Sequence, residues 1–125
     1  MTPVGTEHIL FIDDEEMLVK MGQAMLEKLG YAVTAQMSSI EAAFKNQPDA
    51  FDLVITDQTM PGITGFDMAR RMLQIRPDLP IILCTGYSSQ VSEEKARAYG
   101  IKGFALKPLA QKDIAALIRK IIDKK

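Results

Sequence analysis

Five short apolar runs divide the chain at fairly regular intervals. They occupy residues 9–12, 32–35, 53–56, 81–84 and 103–106. Three of the runs are almost uninterrupted apolar sequence, without the alternation of apolar and polar residues that marks a half-exposed strand. Continuous runs of this kind are typical of strands that are buried on both faces of a parallel sheet. The pattern therefore predicts five buried strands.

Helical patterns fill the intervals between the runs. The apolar face of the first predicted helix consists of Leu18, Met21, Met25 and Leu29. Gly30 is placed to end this helix, since glycine readily adopts the backbone conformation that follows a helix. A second, short helix is predicted to start at Ser39 and to stop before Pro48, because the residue before a proline disfavours the helical conformation.

Three further helices follow the third, fourth and fifth runs. Thr64 is expected to cap the third helix, which ends before Pro77. The fourth is predicted over residues 89–99, with a thin apolar face. The fifth carries an apolar stripe at the spacing of one helix face, formed by Ile114, Leu117, Ile118 and Ile121.

Strands and helices thus alternate five times, which implies an α/β fold with a parallel sheet, helices on both faces and right-handed crossovers. The linkers are short and the sequence has no internal repeat. We therefore expect one domain over residues 1–125, with its core at about 9–122 and a loose lead-in at 1–7. In open sheets of this class, ligands bind beyond the carboxyl ends of the strands.

Composition and charge exclude several classes of protein. The 125 residues are 47% hydrophobic and 25% charged, which argues against disorder. The net charge of −1 gives no positive field for a nucleic-acid backbone, so we expect no direct nucleic-acid binding. A single cysteine, Cys84, fits a reducing compartment. No apolar run approaches the roughly 18–20 residues of a membrane helix, and no signal peptide is evident, so a cytoplasmic location without membrane insertion is expected.

Chemically reactive side chains follow four of the five runs. Asp13 and Asp14 follow the first run, Asp57 the third, Thr85 the fourth and Lys107 the fifth. If these strands are neighbours, three carboxylates, a hydroxyl and an ammonium meet at one sheet edge. Crowded carboxylates need a hard cation such as Mg²⁺. A metal-flanked carboxylate can accept a phosphoryl group, with the lysine as a point charge. Each residue alone is more often a turn former, a helix cap or a surface side chain.

Four segments together resemble the receiver domain of two-component response regulators of the chemotaxis-regulator type. They are Ile-Asp-Asp-Glu at 12–15, Thr-Asp-Gln-Thr-Met-Pro-Gly at 56–62, Cys-Thr-Gly-Tyr at 84–87 and Leu-Lys-Pro-Leu at 106–109. The resemblance implies a doubly wound, flavodoxin-like (βα)5 fold with strand order 2-1-3-4-5. The second and third segments also resemble receivers that are joined to hybrid sensor histidine kinases.

The resemblance assigns a role to each residue that matches its motifs. Asp57 is implied to accept a phosphoryl group from a phosphohistidine on a histidine kinase or phosphotransfer domain. Asp13 and Asp14 are implied to hold Mg²⁺ together with Asp57 and the backbone carbonyl of Thr59. Lys107 is implied to bind the phosphoryl group. The chain would then be a phosphoacceptor that assists its own phosphorylation and dephosphorylation, and not a kinase.

A second set of residues is implied to transmit and time the signal. Thr85 is the switch hydroxyl and Phe104 the switch aromatic, which turns inward when Thr85 moves. The surface made by the fourth predicted helix, the fifth strand and the fifth helix is implied to change its affinity for a downstream protein or domain. The side chains of Thr59 and Tyr87 and the small size of Gly86 are implied to tune access to the phosphoryl group and its lifetime.

Three other functions remain as alternatives. A Mg²⁺-dependent phosphohydrolase of the haloacid-dehalogenase type would need a general-acid Asp where this chain has Thr59. A flavin carrier would need a phosphate-binding loop after the first strand, where this chain has four acidic residues that repel an anion. The third alternative is a degenerate receiver that serves only as an interaction module.

Overall fold

Five parallel strands form one sheet in the order β2-β1-β3-β4-β5 in the computed structural model, which describes residues 5–36, 49–58, 64–85, 93–106 and 110–123. The strands are His8–Ile12 (β1), Ala32–Gln36 (β2), Leu53–Asp57 (β3), Ile81–Thr85 (β4) and Gly103–Leu106 (β5). The parallel sheet and the order implied by the resemblance are confirmed. Each predicted strand lies within one residue of its observed bounds.

The described part of the chain has four helices, three between strands and the last after β5. They are Glu16–Lys28 (α1), Gly65–Ile75 (α2), Glu93–Ala98 (α3) and Gln111–Ile122 (α4). Gly30 and Gly100 follow α1 and α3 with positive φ angles of 101° and 103°, the conformation that glycine tolerates best. The helix predicted from Ser39 to the residue before Pro48 lies outside the described residues, as does the first part of the one predicted over 89–99.

The sheet separates two buried hydrophobic clusters. Successive residues of β1 face opposite sides, so Leu10 and Ile12 belong to one cluster while Ile9 and Phe11 belong to the other. The first cluster contains the buried apolar side chains of α2, and the second contains Leu26 of α1 and the buried residues of α4. Each face of the sheet is thus covered, as the continuous apolar runs predicted.

The apolar face predicted for α1 is confirmed only in part: Leu29 is buried and Met25 packs against the second cluster, but Met21 does not face the core. Met21 is 61% exposed, and α1 instead buries Val19, Gly22 and Leu26. The reason is steric: a Cβ atom at position 22 would overlap the buried ring of Phe11. The absence of a side chain at Gly22 thus lets α1 pack closely against Phe11 of β1. A count of apolar residues does not reveal this contact, because glycine has no apolar side chain.

Two smaller expectations also need correction. The strand β5 lies at the edge of the sheet and is only partly covered, with Leu106 61% exposed, so it is not buried on both faces. Residues 5–7 of the predicted lead-in are held in place and are not loose. The Gly5 amide donates to the carbonyl of Leu29, and Glu7 pairs with Arg119 on α4. Among the described residues, we find no helix with the length and apolarity that crossing a membrane demands.

Candidate functional site

The strand register brings the three predicted acids together. Ile12 of β1 lies beside Thr56 of β3, so Asp13 and Asp57 follow at the same level of the sheet. One carboxylate oxygen from each of Asp13, Asp14 and Asp57 lies within 4.8 Å of the other two. Asp13 is 3% exposed and Asp57 is 5% exposed, while Asp14 is half-buried. The carboxyl ends of two neighbouring strands thus form one acidic pocket.

The donor atoms of this pocket fit a hard divalent cation. Three carboxylates at this spacing repel one another. A bound cation would relieve that repulsion, and oxygen ligands are those that Mg²⁺ prefers. The Glu15 amide donates to Oδ1 of Asp13 over 3.1 Å, which orients that carboxylate at the start of α1.

Thr85 ends β4 at the same edge of the sheet. Cys84 is the register partner of Asp57, so Thr85 lies one residue beyond it toward the pocket. The carbonyl of Cys84 also accepts a hydrogen bond of 2.9 Å from the Gln58 amide, which extends the pairing of β3 and β4 past Asp57. Thr85 itself is buried.

Four of the predicted site residues fall outside the described part of the chain. They are Thr59, Gly86, Tyr87 and Lys107. Lys107 directly follows Leu106, which is the register partner of Thr85. In the sequence, Lys107 is thus the first residue after β5.

Phe104, the predicted switch aromatic, lies on β5 beside Leu83 of β4. Its ring is half-buried and packs against the first hydrophobic cluster. The guanidinium carbon of Arg97, on α3, lies 5.8 Å from the centre of the ring. Phe104 is therefore neither fully buried nor fully exposed. It contacts α3, the helix whose surface the resemblance links to signalling.

The only histidine is engaged in the fold. The two ring nitrogens of His8 lie 3.1 Å from the Ala50 carbonyl and 2.8 Å from Oγ1 of Thr34. The ring also packs against Phe51 with 4.7 Å between centroids. These contacts show that His8 takes part in the hydrogen bonding and packing of the fold.

Sequence reasoning missed one buried polar residue beside the pocket. Gln58 follows Asp57, is 7% exposed and accepts a 2.8 Å hydrogen bond from the Phe66 amide. Its position just after a buried strand was the one available signal, and a polar residue there is usually taken as the start of a loop.

Comparison with known proteins agrees with this geometry. The sequence-family model for the response regulator receiver domain matches residues 9–119 of this chain. The C4-dicarboxylate transport transcriptional regulatory protein DctD of Rhizobium meliloti is 33% identical over 117 residues, which cover 94% of this chain and 25% of DctD. The aerobic respiration control sensor protein ArcB of Escherichia coli is 28% identical over 123 residues, which cover 97% of this chain and 16% of ArcB.

Solved structures show the same architecture. A response regulator receiver domain protein from Clostridium thermocellum superposes with a TM-score of 0.88 at 30% identity, covering 94% of this chain and 95% of that one. The chemotaxis protein CheY4 of Vibrio cholerae superposes with a TM-score of 0.83 at 25% identity, and the match covers 94% of this chain and 99% of that one.

The chain spans about half or less of the curated relatives it matches, from 16% of ArcB to 51% of the transcriptional regulatory protein CreB of Escherichia coli. Domains of the matched family generally accept a phosphoryl group, bind Mg²⁺ at an acidic pocket and work with histidine kinases or phosphotransfer partners and with output domains. The family match covers most of the chain, and the fold and the acidic pocket agree with it, so the chain belongs to the family of response regulator receiver domains.

Proposed function

We propose that this chain is the phosphoacceptor domain of a two-component phosphorelay, with Asp57 as the residue that is phosphorylated. The observation that carries the proposal is the meeting of Asp13, Asp14 and Asp57, whose carboxylate oxygens lie within 4.8 Å of one another at the carboxyl edge of the sheet. Asp57 ends β3, so a rigid element positions it for attack.

The transfer is a substitution at phosphorus. A carboxylate oxygen of Asp57 attacks the phosphorus atom of a phosphohistidine on the partner, an oxygen–phosphorus bond forms and the phosphorus–nitrogen bond breaks. The electron pair of the broken bond stays on the imidazole nitrogen, which takes up a proton. Asp13, Asp14 and Asp57, with the Thr59 carbonyl, would hold Mg²⁺. When bound, the ion offsets the negative charge of the carboxylates and the phosphoryl oxygens.

Lys107 and Thr85 then bind the phosphoryl group on Asp57. Lys107 pairs with one phosphoryl oxygen as a point charge, and the Thr85 hydroxyl donates a hydrogen bond to another. Movement of Thr85 lets Phe104 turn inward, and the surface formed by α3, β5 and α4 changes its affinity for a downstream protein or domain. The phosphoryl group acts by favouring one of two states of this surface. Thr59, Gly86 and Tyr87 tune how long the group survives.

The proposal extends to the setting of the domain. Residues 1–125 form a single receiver domain with its core at about 9–122, and it works in the cytoplasm without direct nucleic-acid contact or membrane insertion. The 28% identity to the sensor protein ArcB supports a place in a hybrid histidine kinase as one form of the whole protein. A histidine kinase or phosphotransfer domain supplies the phosphoryl group.

Labelling with a small acyl phosphate tests the assignment of Asp57. Purified protein is incubated with acetyl phosphate and Mg²⁺, and the added phosphoryl group is located by mass spectrometry. We expect single labelling of the wild type and none of Asp57→Asn, because the amide is not a nucleophile. Asp49→Asn is the matched control, since Asp49 is exposed and precedes the opposite end of β3.

Three results would contradict the proposal. Undiminished labelling of Asp57→Asn at another residue removes Asp57 from its role. Repeated hydrolysis of phosphate esters by the wild type favours a phosphohydrolase instead. Wild-type protein that is never labelled and never binds Mg²⁺ indicates a domain that serves only for interaction.

A further inference from the structure

The first turn of α2 is fixed by residues outside the helix. The first amides of a helix have no partner within it. Here the Gly65 amide donates to the backbone carbonyl of Gln58 over 3.0 Å, and the Phe66 amide donates to Oε1 of Gln58 over 2.8 Å. The Asp67 amide donates to Oγ1 of Thr64 over 3.1 Å. Gln58, seven residues before the helix, thus satisfies two of these three amides.

Gln58 is itself held firmly. Its own amide donates to the carbonyl of Cys84 on β4, and its side chain is buried. The start of α2 also lies against the phosphoacceptor residue, because a Cβ atom at Gly65 would overlap the backbone carbonyl of Asp57. The N-cap residues of α1 and α4, Glu15 and Ala110, make no side-chain cap bond of this kind among the described residues. The start of α2 is therefore tied to the end of β3 through both oxygens of Gln58.

We infer that Gln58 is a positioning residue for phosphoryl acceptance, and this inference rests on the function proposed above. Its backbone and side-chain oxygens join the end of β3 directly to the start of α2. The end of β3 carries Asp57, and the backbone carbonyl of Asp57 lies against Gly65 at the start of α2. Gln58 thus fixes the strand end that carries Asp57 to the first turn of α2.

Three substitutions separate the side-chain hydrogen bond from the shape of the residue. Gln58→Met has a similar length but no acceptor oxygen. Gln58→Asn keeps an amide that is one methylene too short, and it serves as the second variant if the Met protein does not fold. Gln58→Glu keeps an oxygen that can accept from Phe66.

The first measurement uses protein without metal or phosphoryl donor. Amide hydrogen exchange is followed by NMR at Gly65 and Phe66. We expect exchange at Phe66 to speed up about tenfold in the Met and Asn variants and to stay close to the wild-type rate in the Glu variant, because one ordinary hydrogen bond corresponds to roughly this factor. Unchanged exchange in the Met and Asn variants would show that the bond does not hold the helix start.

The second measurement is the initial rate of labelling by acetyl phosphate across a range of Mg²⁺ concentrations. For Gln58→Met and Gln58→Asn we expect about a tenfold lower rate at subsaturating Mg²⁺, and for Gln58→Glu a rate within about threefold of the wild type. Thr64→Ala is the matched control. It removes a cap bond from the same turn but leaves both bonds to Gln58, so its rate should stay within about twofold of the wild type.

The outcomes distinguish this inference from the proposed function. Wild-type labelling rates in the Met and Asn variants, alongside faster exchange at Phe66, would reduce Gln58 to a structural residue and overturn the inference. Equal losses in Gln58→Met and Thr64→Ala would also overturn it, because the effect would then come from general weakening of α2. In both cases loss of labelling in Asp57→Asn would leave the proposed function intact.

Discussion

Gly22 and Phe11 show how a single missing side chain decides which face of a helix is buried. The apolar residues of α1 predicted a face that includes Met21, yet Met21 is exposed and Gly22 is buried. Burial of apolar area favours the contact of α1 with the sheet, and the ring of Phe11 needs the space that a Cβ atom at position 22 would take. Glycine carries no apolar side chain, so a count of hydrophobic positions does not register it.

We expect Gly22→Ala to destabilise the protein by about 1–3 kcal/mol, although alanine is the better helix former by about 1 kcal/mol. The added methyl group must displace a buried aromatic ring in a filled interior. Unfolding in urea measures the change. The free energy of unfolding of Gln23→Ala, on the same helix, should lie within about 0.5 kcal/mol of the wild-type value. A Gly22→Ala protein that is as stable as the wild type would contradict this packing.

At the scale of elements, the cap of α2 is a separable contribution to stability. Thr64 accepts from the Asp67 amide, as the sequence predicted. We expect Thr64→Ala to cost about 1 kcal/mol and Thr64→Ser to cost much less, because serine keeps the accepting oxygen. Thermal or urea unfolding of both variants tests this. Equal losses in the two variants would show that the methyl group matters and the hydrogen bond does not.

The strands were predictable because parallel strands buried on both faces are continuous apolar runs. The same logic failed for β5, where Leu106 is exposed because the strand lies at the edge of the sheet. The acidic pocket was predictable because every strand of a parallel sheet ends at one edge, so Asp13 and Asp57 had to converge. Gln58 was not predictable, since its partner Phe66 lies eight residues away and the pairing depends on how α2 returns to the sheet.

On the scale of the whole molecule, one ion pair joins the two ends of the described chain. The guanidinium of Arg119 donates to both carboxylate oxygens of Glu7, over 3.0 and 2.7 Å, and also contacts Asp123. The hydrogen bonds from Arg119 lower the pKa of Glu7 below its usual 4.5. Burial raises the pKa of the neighbouring Tyr31. The segment before β1 is thus bound to α4, which explains why residues 5–7 are not loose.

This ion pair should make stability depend on pH. Folding lowers the pKa of Glu7, so the ionised carboxylate stabilises the folded protein. This stabilisation is complete above pH 4.5 and is lost as the pH falls through the lowered pKa of the folded state. We expect Glu7→Gln to be about 1 kcal/mol less stable than the wild type at pH 7, with the difference shrinking below pH 4.5. Glu94→Gln, at an exposed position of α3, should show no such gap. A gap that widens in acid would contradict the pairing.

A titration with Mg²⁺, followed by NMR on protein without any phosphoryl donor, tests the central claim most directly. We predict saturable shifts confined to the ends of β1, β3 and β4, around Asp13, Asp57 and Thr85, and their loss or strong weakening in Asp14→Asn. Asp78→Asn, an exposed acid remote from the pocket, should titrate like the wild type. Shifts that never saturate, or that are the same in Asp14→Asn, would mean that the three acids do not form a divalent-cation site.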